Sequence, residues 1–301
     1  MSAYVVPRLG DVPLQQLGPE HLDRLYDELE AAGGRSGKAL SPKTVLNAHR
    51  ALHKALTDAV KRGRVARNAA AMVEAPSAPK AQTEIWTVLQ LRAYLDAVRD
   101  DRLYAAWLLF ATTGMRRGEV AGLTWSDLDL DRAYLRVSFT LGVVDGKATW
   151  KPRPKSRAGK RTMALDPATV EALHAHRDAQ DADRRLVGPA WKPRQYDHLG
   201  AFRDDLVFTH PDGSLIHPER FSRWFRRHSR AAELPPIRLH DVRHTYASAG
   251  LANATGWHEV KVISERLGHA SVGITLDTYS HVLPGADQET AHTLARVILG
   301  Q

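Results

Sequence analysis

Apolar residues in the first part of the chain recur at helical spacing. Leu22, Leu25, Tyr26 and Leu29 fall at i, i+3, i+4 and i+7, Pro19 can open that helix, and Gly33-Gly34 ends it. Ser41-Pro42 opens a second helix, with Val45, His49, Leu52, Leu56 and Val60 on one stripe. Off that stripe stand Lys43, Arg50, Lys54, Lys61 and Arg62, which suit either a solvated face or a polyanion. The pattern lapses at 75–82, A-P-S-A-P-K-A-Q, a proline-punctuated linker. The chain thus divides into a helical domain at 1–76, a linker at 77–84 and a larger domain at 85–301.

Beyond the linker the period changes. Thr87-x-x-Gln90 reads as a capping box for a helix to about Arg99. An apolar helix follows over 102–112 and Gly114 breaks it, after which Arg116 and Glu119 lie three apart on one face of the next helix. Tyr134, Leu135, Val137 and Phe139 alternate as in a strand. Asp145-Gly146 marks a hairpin, with a return strand near Thr149–Lys151 and another over 161–165. After Asp166 the chain reads mainly as helices. The expected fold is mainly α with a small antiparallel β-sheet: a small helical domain and then an α+β domain.

Composition narrows the function. The 301 residues include no cysteine, which excludes disulfides and thiolate metal sites. No run of about 18 apolar residues and no leader-like start is present, so a soluble cytoplasmic protein is expected. A formal charge of +8 with a pI near 9.7 points to a polyanionic partner. A separate basic loop lies at 151–161, and the clearest nucleic-acid element is His217–Arg230. There Arg223, Arg226, Arg227 and Arg230 share one helical face and Phe221, Trp224, Phe225 and His228 a neighbouring one. Four guanidiniums on one face repel each other unless a polyanion, or local acids such as Glu219, lies against them.

The chemistry concentrates in T-G-M-R-R-G-E (113–119), H-D-V-R-H-T (240–245), L-G-H-A-S (267–271) and T-L-D-T-Y-S-H (275–281). Arg116 and Arg243 offer paired, permanently charged donors for a phosphate. His240 and His269 can donate hydrogen bonds or move protons, and the Tyr279 hydroxyl can be a nucleophile. Each has a plainer alternative. Arg116 can pair with Glu119 or Asp127, His269 can cap a helix after Leu267-Gly268, and Tyr279 can belong to the core. His240 and His244 have metal-ligand spacing, but no H-E-x-x-H accompanies them, and no G-x-S-x-G suggests a serine hydrolase. No cofactor or metal is expected.

In this combination and order the segments resemble the tyrosine recombinases, or phage integrases, from about Val6 to the C-terminus. The resemblance implies that Tyr279 attacks the scissile phosphate, forming a 3′-phosphotyrosyl link. Arg116 and Arg243 would hold the non-bridging oxygens, and His240 would accept the tyrosine proton or bond the phosphate. His269 would donate to a phosphate oxygen. P-K-S-x-x-x-x-R places the general acid at Lys155, with Lys151 and Lys160 close by. Glu119 and Asp241 would orient the arginines and histidines. DNA would be contacted by Lys43, Arg50, Lys54, Arg153, Arg157, Arg223, Arg226, Arg227 and Arg230. The implied partners are duplex DNA with core-type attachment sites, a homotetramer on DNA, and an excisionase or DNA-bending accessory protein. The tail bearing Ala291, Leu294, Val297 and Ile298 is expected to exchange between protomers. The start Y-V-V-P-R-L-G resembles the end of the first core-binding helix, so an N-terminally shortened chain without an arm-binding module is expected. Two further readings are a type IB topoisomerase-like activity and a non-catalytic DNA-binding regulator.

Overall fold

A computed structural model describes residues 3–34, 37–79, 84–151, 161–192, 195–196, 202–203 and 205–279. The chain divides into two compact units, Met1–Gln82 and Thr83–Gln301.

In the first unit a single turn, α1 (Val6–Leu9), precedes α2 (Pro19–Ala32) and α3 (Pro42–Lys61). Pro19 occupies the first turn of α2, and Gly33 closes it. Ser41 caps α3, its Oγ accepting from the Thr44 amide. The two helices bury Leu22, Leu25, Tyr26 and Leu29 against Val45, Leu52 and Leu56. Ala59, not the expected Val60, completes the buried stripe of α3. Repeated steps of four drift off a helix that turns once every 3.6 residues. Opposite the stripe, Lys43, Arg50, Lys54 and Lys61 are exposed along one line. Lys54 donates to Asp58 Oδ1 at 2.7 Å.

The second unit is built around α5 (Tyr104–Thr113), nearly all of whose residues are buried. This is why its sequence is apolar all round. It is preceded by α4 (Val88–Ala97), which carries the expected capping box: Gln90 N donates to Thr87 Oγ1 and Thr87 N to Gln90 Oε1. Gly114 ends α5 in the left-handed conformation (φ 63°), and the short α6 (Arg117–Ala121) follows. Arg116 lies just outside α6 with extended backbone (φ −73°, ψ 149°), not within a helix as expected. The Glu119 carboxylate accepts from the Arg116 amide, which fixes that boundary.

The expected strand through Phe139 ends at Val137, and a further strand begins at Thr140. β1 (Leu128–Asp129), β2 (Tyr134–Val137) and β5 (Arg161–Ala164) form an antiparallel sheet in the order β1-β2-β5. β3 (Thr140–Val144) and β4 (Lys147–Lys151) form a separate hairpin. Its turn has positive φ at both Asp145 (48°) and Gly146 (75°), as a tight two-residue hairpin needs. Then come α7 (Pro167–Val187), a two-residue pairing of β6 (Gln195–Tyr196) with β7 (Phe202–Arg203) that was not anticipated, and α8 (Pro218–Ala231). The chain continues through α9 (Leu239–Ala252), α10 (Trp257–Leu267) and α11 (Val272–Tyr279). An aromatic cluster of Trp86, Tyr94, Trp107, Phe221 and Phe225 seats α4, α5 and α8 on one another. A second cluster, with Ala247, Leu251, Ile263, Leu267 and Tyr279, seats α9, α10 and α11. Among the described residues no helix is long and apolar enough to cross a membrane.

Candidate active site

The site forms where the C-terminal ends of α5 and α10 meet the first turns of α9. Arg243, near the start of α9, is only 4 % exposed. Its guanidinium donates to the carbonyls of Gly114, at 2.7 Å, and of Leu267. Both acceptors belong to helix C-termini, where unpaired carbonyls carry the negative end of the helix dipole. Gly114 and Gly268 are left-handed there (φ 63° and 65°), which turns the chain away and leaves those carbonyls free to accept. Among the described residues no carboxylate lies within ion-pair distance of Arg243. Burial, then Arg116, Glu119 and Arg161 in competing directions, bring its pKa down to about 10.

Arg116 is placed differently. Its side chain is 42 % exposed. Nη1 donates to Glu119 Oε1 at 3.1 Å and Nη2 to the Gly268 carbonyl at 3.4 Å. Glu119 lies beneath it and also receives Arg161, Nη1 to Oε1 at 3.0 Å and Nη2 to Oε2 at 2.7 Å. Burial raises the Glu119 pKa, but the Arg161 and Arg116 bonds outweigh it and hold the carboxyl at about 2. Arg161 also donates through Nε to the Arg266 carbonyl at 2.7 Å, tying β5 to α10.

His269 follows Gly268, and its Nδ1 shares a 2.7 Å hydrogen bond with Thr275 Oγ1, which sets the ring. His240 opens α9, and its ring meets His244 edge to face at 5.4 Å. Burial lowers both His240 and His269 to about 4, with nearby cations adding to the shift. Both rings are therefore neutral at pH 7. Tyr279 has its ring in the core, at 2 % exposure. Its hydroxyl shares a 2.6 Å hydrogen bond with His244 Nδ1. Burial raises its pKa to about 12, with Arg243 opposing.

Arg116, His240, Arg243, His269 and Tyr279 are thus brought together, with Glu119 behind them. Asp241 departs from expectation. Its carboxylate takes the Arg238 guanidinium at 2.7 and 2.9 Å and the Arg238 amide at 2.8 Å, so it holds Arg238 and caps α9. It reaches His240 and His244 through its charge rather than through a hydrogen bond. Lys155, Arg153, Arg157 and the tail beyond Tyr279 lie outside the described residues.

Beside Arg116 and His240 an open cleft of about 570 Å³ is lined by Arg117, Ser222, Arg226 and Arg238. Arg223, Arg226, Arg227 and Arg230 are all exposed, opposite the buried Phe221, Phe225 and Ser229 of α8. Of these four, Arg226 reaches the cleft lining. Sequence reasoning missed Arg161, Arg238 and the tyrosine contact of His244. Arg161 ends the P-K-S-x-x-x-x-R segment, and Arg238 stands three before Asp241, a capping-box spacing; both signals were present. Nothing local joins His244 to Tyr279.

The phage integrase family model matches residues 86–285. The chain is 28 % identical to a XerC-like tyrosine recombinase of Caldanaerobacter subterraneus, over 91 % of this chain and 69 % of that protein. It is 25 % identical to an integrase of Saccharopolyspora erythraea, over 97 % of this chain and 74 % of that protein. In fold it is similar to the Tn1549 transposon integrase in complex with a circular intermediate DNA (TM-score 0.74, 21 % identity, 96 % of this chain and 89 % of that one). It is also similar to a lambda integrase dimer bound to a COC′ core site (TM-score 0.56, 18 % identity, 92 % and 68 %). A site of two arginines, histidines and a tyrosine, on this fold and with these relatives, places the chain in the phage integrase family of site-specific tyrosine recombinases.

Proposed function

We propose that Arg243 and Arg116 grip one scissile phosphate of duplex DNA while Tyr279 attacks it. The observation that carries this reading is the state of Arg243: a buried cation held by two helix C-termini, with no carboxylate of its own among the described residues. A buried charge left in that state is costly unless an anion completes it. A phosphodiester supplies that anion, and the charge that builds on its non-bridging oxygens strengthens the contact. Arg116, more open, takes the second oxygen. His240 and His269, neutral in the free protein, donate to the same group.

A phosphoryl centre attacked by Tyr279 conserves the bond in a 3′-phosphotyrosyl link, so rejoining needs no nucleotide cofactor. Lys155 is assigned to protonate the departing 5′-oxygen. The exposed arginines of α8 and the Lys43, Arg50 and Lys54 line of α3 follow the DNA backbone on either unit. Arg153 and Arg157 are assigned the same task beside Lys155. Core-type attachment sites are the proposed target, with four protomers on paired sites, tails exchanged between neighbours, and an excisionase or DNA-bending protein as a further partner. A cytoplasmic location fits a DNA-acting protein. The lambda integrase tetramer bound to a Holliday junction, similar to this chain in fold (TM-score 0.55), supports that assembly.

The test is covalent capture on a nicked suicide substrate in denaturing gels. Wild type is expected to form the adduct with EDTA present, and Tyr279→Phe to bind DNA without forming it. Adduct formation by Tyr279→Phe removes the residue from the mechanism.

A further inference from the structure

We infer that His244 is the base that takes the Tyr279 proton during strand cleavage, leaving His240 to the phosphate. The inference rests on Tyr279 being the nucleophile. Of the site's histidines, His244 is the one that shares a hydrogen bond with the tyrosine hydroxyl among the described residues, through Nδ1 at 2.6 Å. His240 instead lines the cleft with Arg116, Arg226 and Arg238. Helical geometry makes the division. His240 and His244 are one turn apart on α9, and of the two it is His240 that lines the cleft and His244 that meets the tyrosine hydroxyl. Ala247, three residues beyond His244, lies in the same core cluster as the Tyr279 ring, so a ring seated there brings its hydroxyl onto His244. The rings of His244 and Tyr279 stand 5.6 Å apart at 52°.

The charges around His244 suit a base. On its own helix it faces His240, Asp241 and Arg243, with Arg238 just before the helix; from elsewhere it faces His269 and Tyr279. Burial, then Asp241 opposing and the two arginines assisting, lowers its pKa, so it is neutral and able to accept at pH 7. In that form Oη–H donates to the unprotonated Nδ1. As a phosphate enters, its negative charge favours the protonated imidazole.

The step balances. A lone pair on Tyr279 Oη forms the Oη–P bond while the P–O5′ bond breaks. The O5′ keeps that electron pair and takes a proton from the general acid assigned to Lys155, and the tyrosine proton passes to His244 Nδ1. On rejoining, the incoming 5′-hydroxyl gives its proton to the general acid's conjugate base, and His244 returns its own to Oη.

Single-turnover cleavage of the suicide substrate by His244→Asn tests this. Asn retains a hydrogen-bonding atom near the Nδ1 position but cannot accept the proton. DNA affinity and the thermal midpoint are expected to be unchanged, with the cleavage rate down about 10²- to 10⁴-fold at neutral pH. The variant's rate should then rise about tenfold per pH unit as hydroxide replaces the base, where wild type levels off. Imidazole added to His244→Ala should restore part of the rate. A 5′-bridging sulfur leaving group, which needs no general acid, should leave His244→Asn slow. Wild-type rate and pH profile in His244→Asn overturn the inference, as does full rescue by the sulfur substrate, which would place His244 on the leaving-group side. Tyr279→Phe is run in parallel. Adduct formation there overturns the underlying reading, whereas its failure beside a fully active His244→Asn overturns the role of His244 alone.

Discussion

Arg161 and Glu119 form a two-pronged ion pair at 2.7 and 3.0 Å, with each side chain 6 % exposed. It joins the edge of the small sheet to α6, and Glu119 passes the constraint on to Arg116. Arg116, the arginine proposed to take the second phosphate oxygen, is therefore aimed by a carboxylate that is itself clamped from behind.

Breaking the pair leaves a buried cation unmatched. Glu119→Gln is expected to lower stability by about 3–5 kcal/mol, as loss of one member of a buried pair does. The Glu119 pKa is depressed in the fold, so its contribution is complete above the unfolded value near 4.5 and is lost as pH falls through about 2. Urea unfolding across the acid range checks both points, and the variant should lose this part of the acid dependence.

Gly114 combines a left-handed backbone with a close neighbour. A Cβ there would lie 2.6 Å from Tyr246 Cδ1, and φ is 63°. Gly114→Ala should cost about 1–2 kcal/mol for the backbone alone, with the clash adding to it. It should also slow cleavage, because the Gly114 carbonyl accepts from Arg243. Denaturant midpoints and suicide-substrate rates measure the two effects.

If Arg116 and Arg243 grip the phosphate as proposed, loss of either should be severe. Arg116→Ala and Arg243→Ala are each expected to reduce cleavage by at least about 10²- to 10³-fold, the usual cost of removing one preorganised donor. By analogy with arginine fingers the loss can reach about 10³- to 10⁵-fold. Arg243→Ala should also lower stability, since its own side chain is buried, whereas Arg116→Ala, at a side chain 42 % exposed, should change it less. Metal-dependent cleavage by wild type would contradict the site as drawn.

DNA binding should take up protons. His240 and His269 sit at about 4 in the free protein, largely from burial. A phosphate beside them raises both values, so affinity should rise as pH falls from neutral towards that range. Calorimetric titration in buffers of different ionisation enthalpy counts the protons. No uptake at any pH between about 4 and 7 would mean that the phosphate raises neither value, and loss of the uptake in His240→Asn or His269→Asn would separate these rings from His244.

The α8 face should read out in salt. If Arg223, Arg226, Arg227 and Arg230 all meet phosphates, converting the four to alanine should reduce the slope of log affinity against log salt by about 3.6, near 0.9 per contact. An unchanged slope would place the face in solvent.

What local sequence determined is whatever one element encodes within itself. The stripe of α2, the Ser41 cap, the Thr87–Gln90 box, the Asp145-Gly146 turn and the left-handed break at Gly114 follow from residues a few positions apart. The spacing of His240 and Arg243 on α9 follows in the same way, and these patterns together were enough to recognise the family. Tertiary structure decided how the chemistry is held. Arg243 meets a carbonyl 129 residues away, Arg161 a carboxylate 42 away, and His244 a hydroxyl 35 away. No helical or strand period links such positions. The packing of the elements decided that Arg243 meets two carbonyls while the likewise buried Arg161 meets Glu119, and that His244 meets the tyrosine, because contacts this far apart in sequence exist only once the elements are packed together.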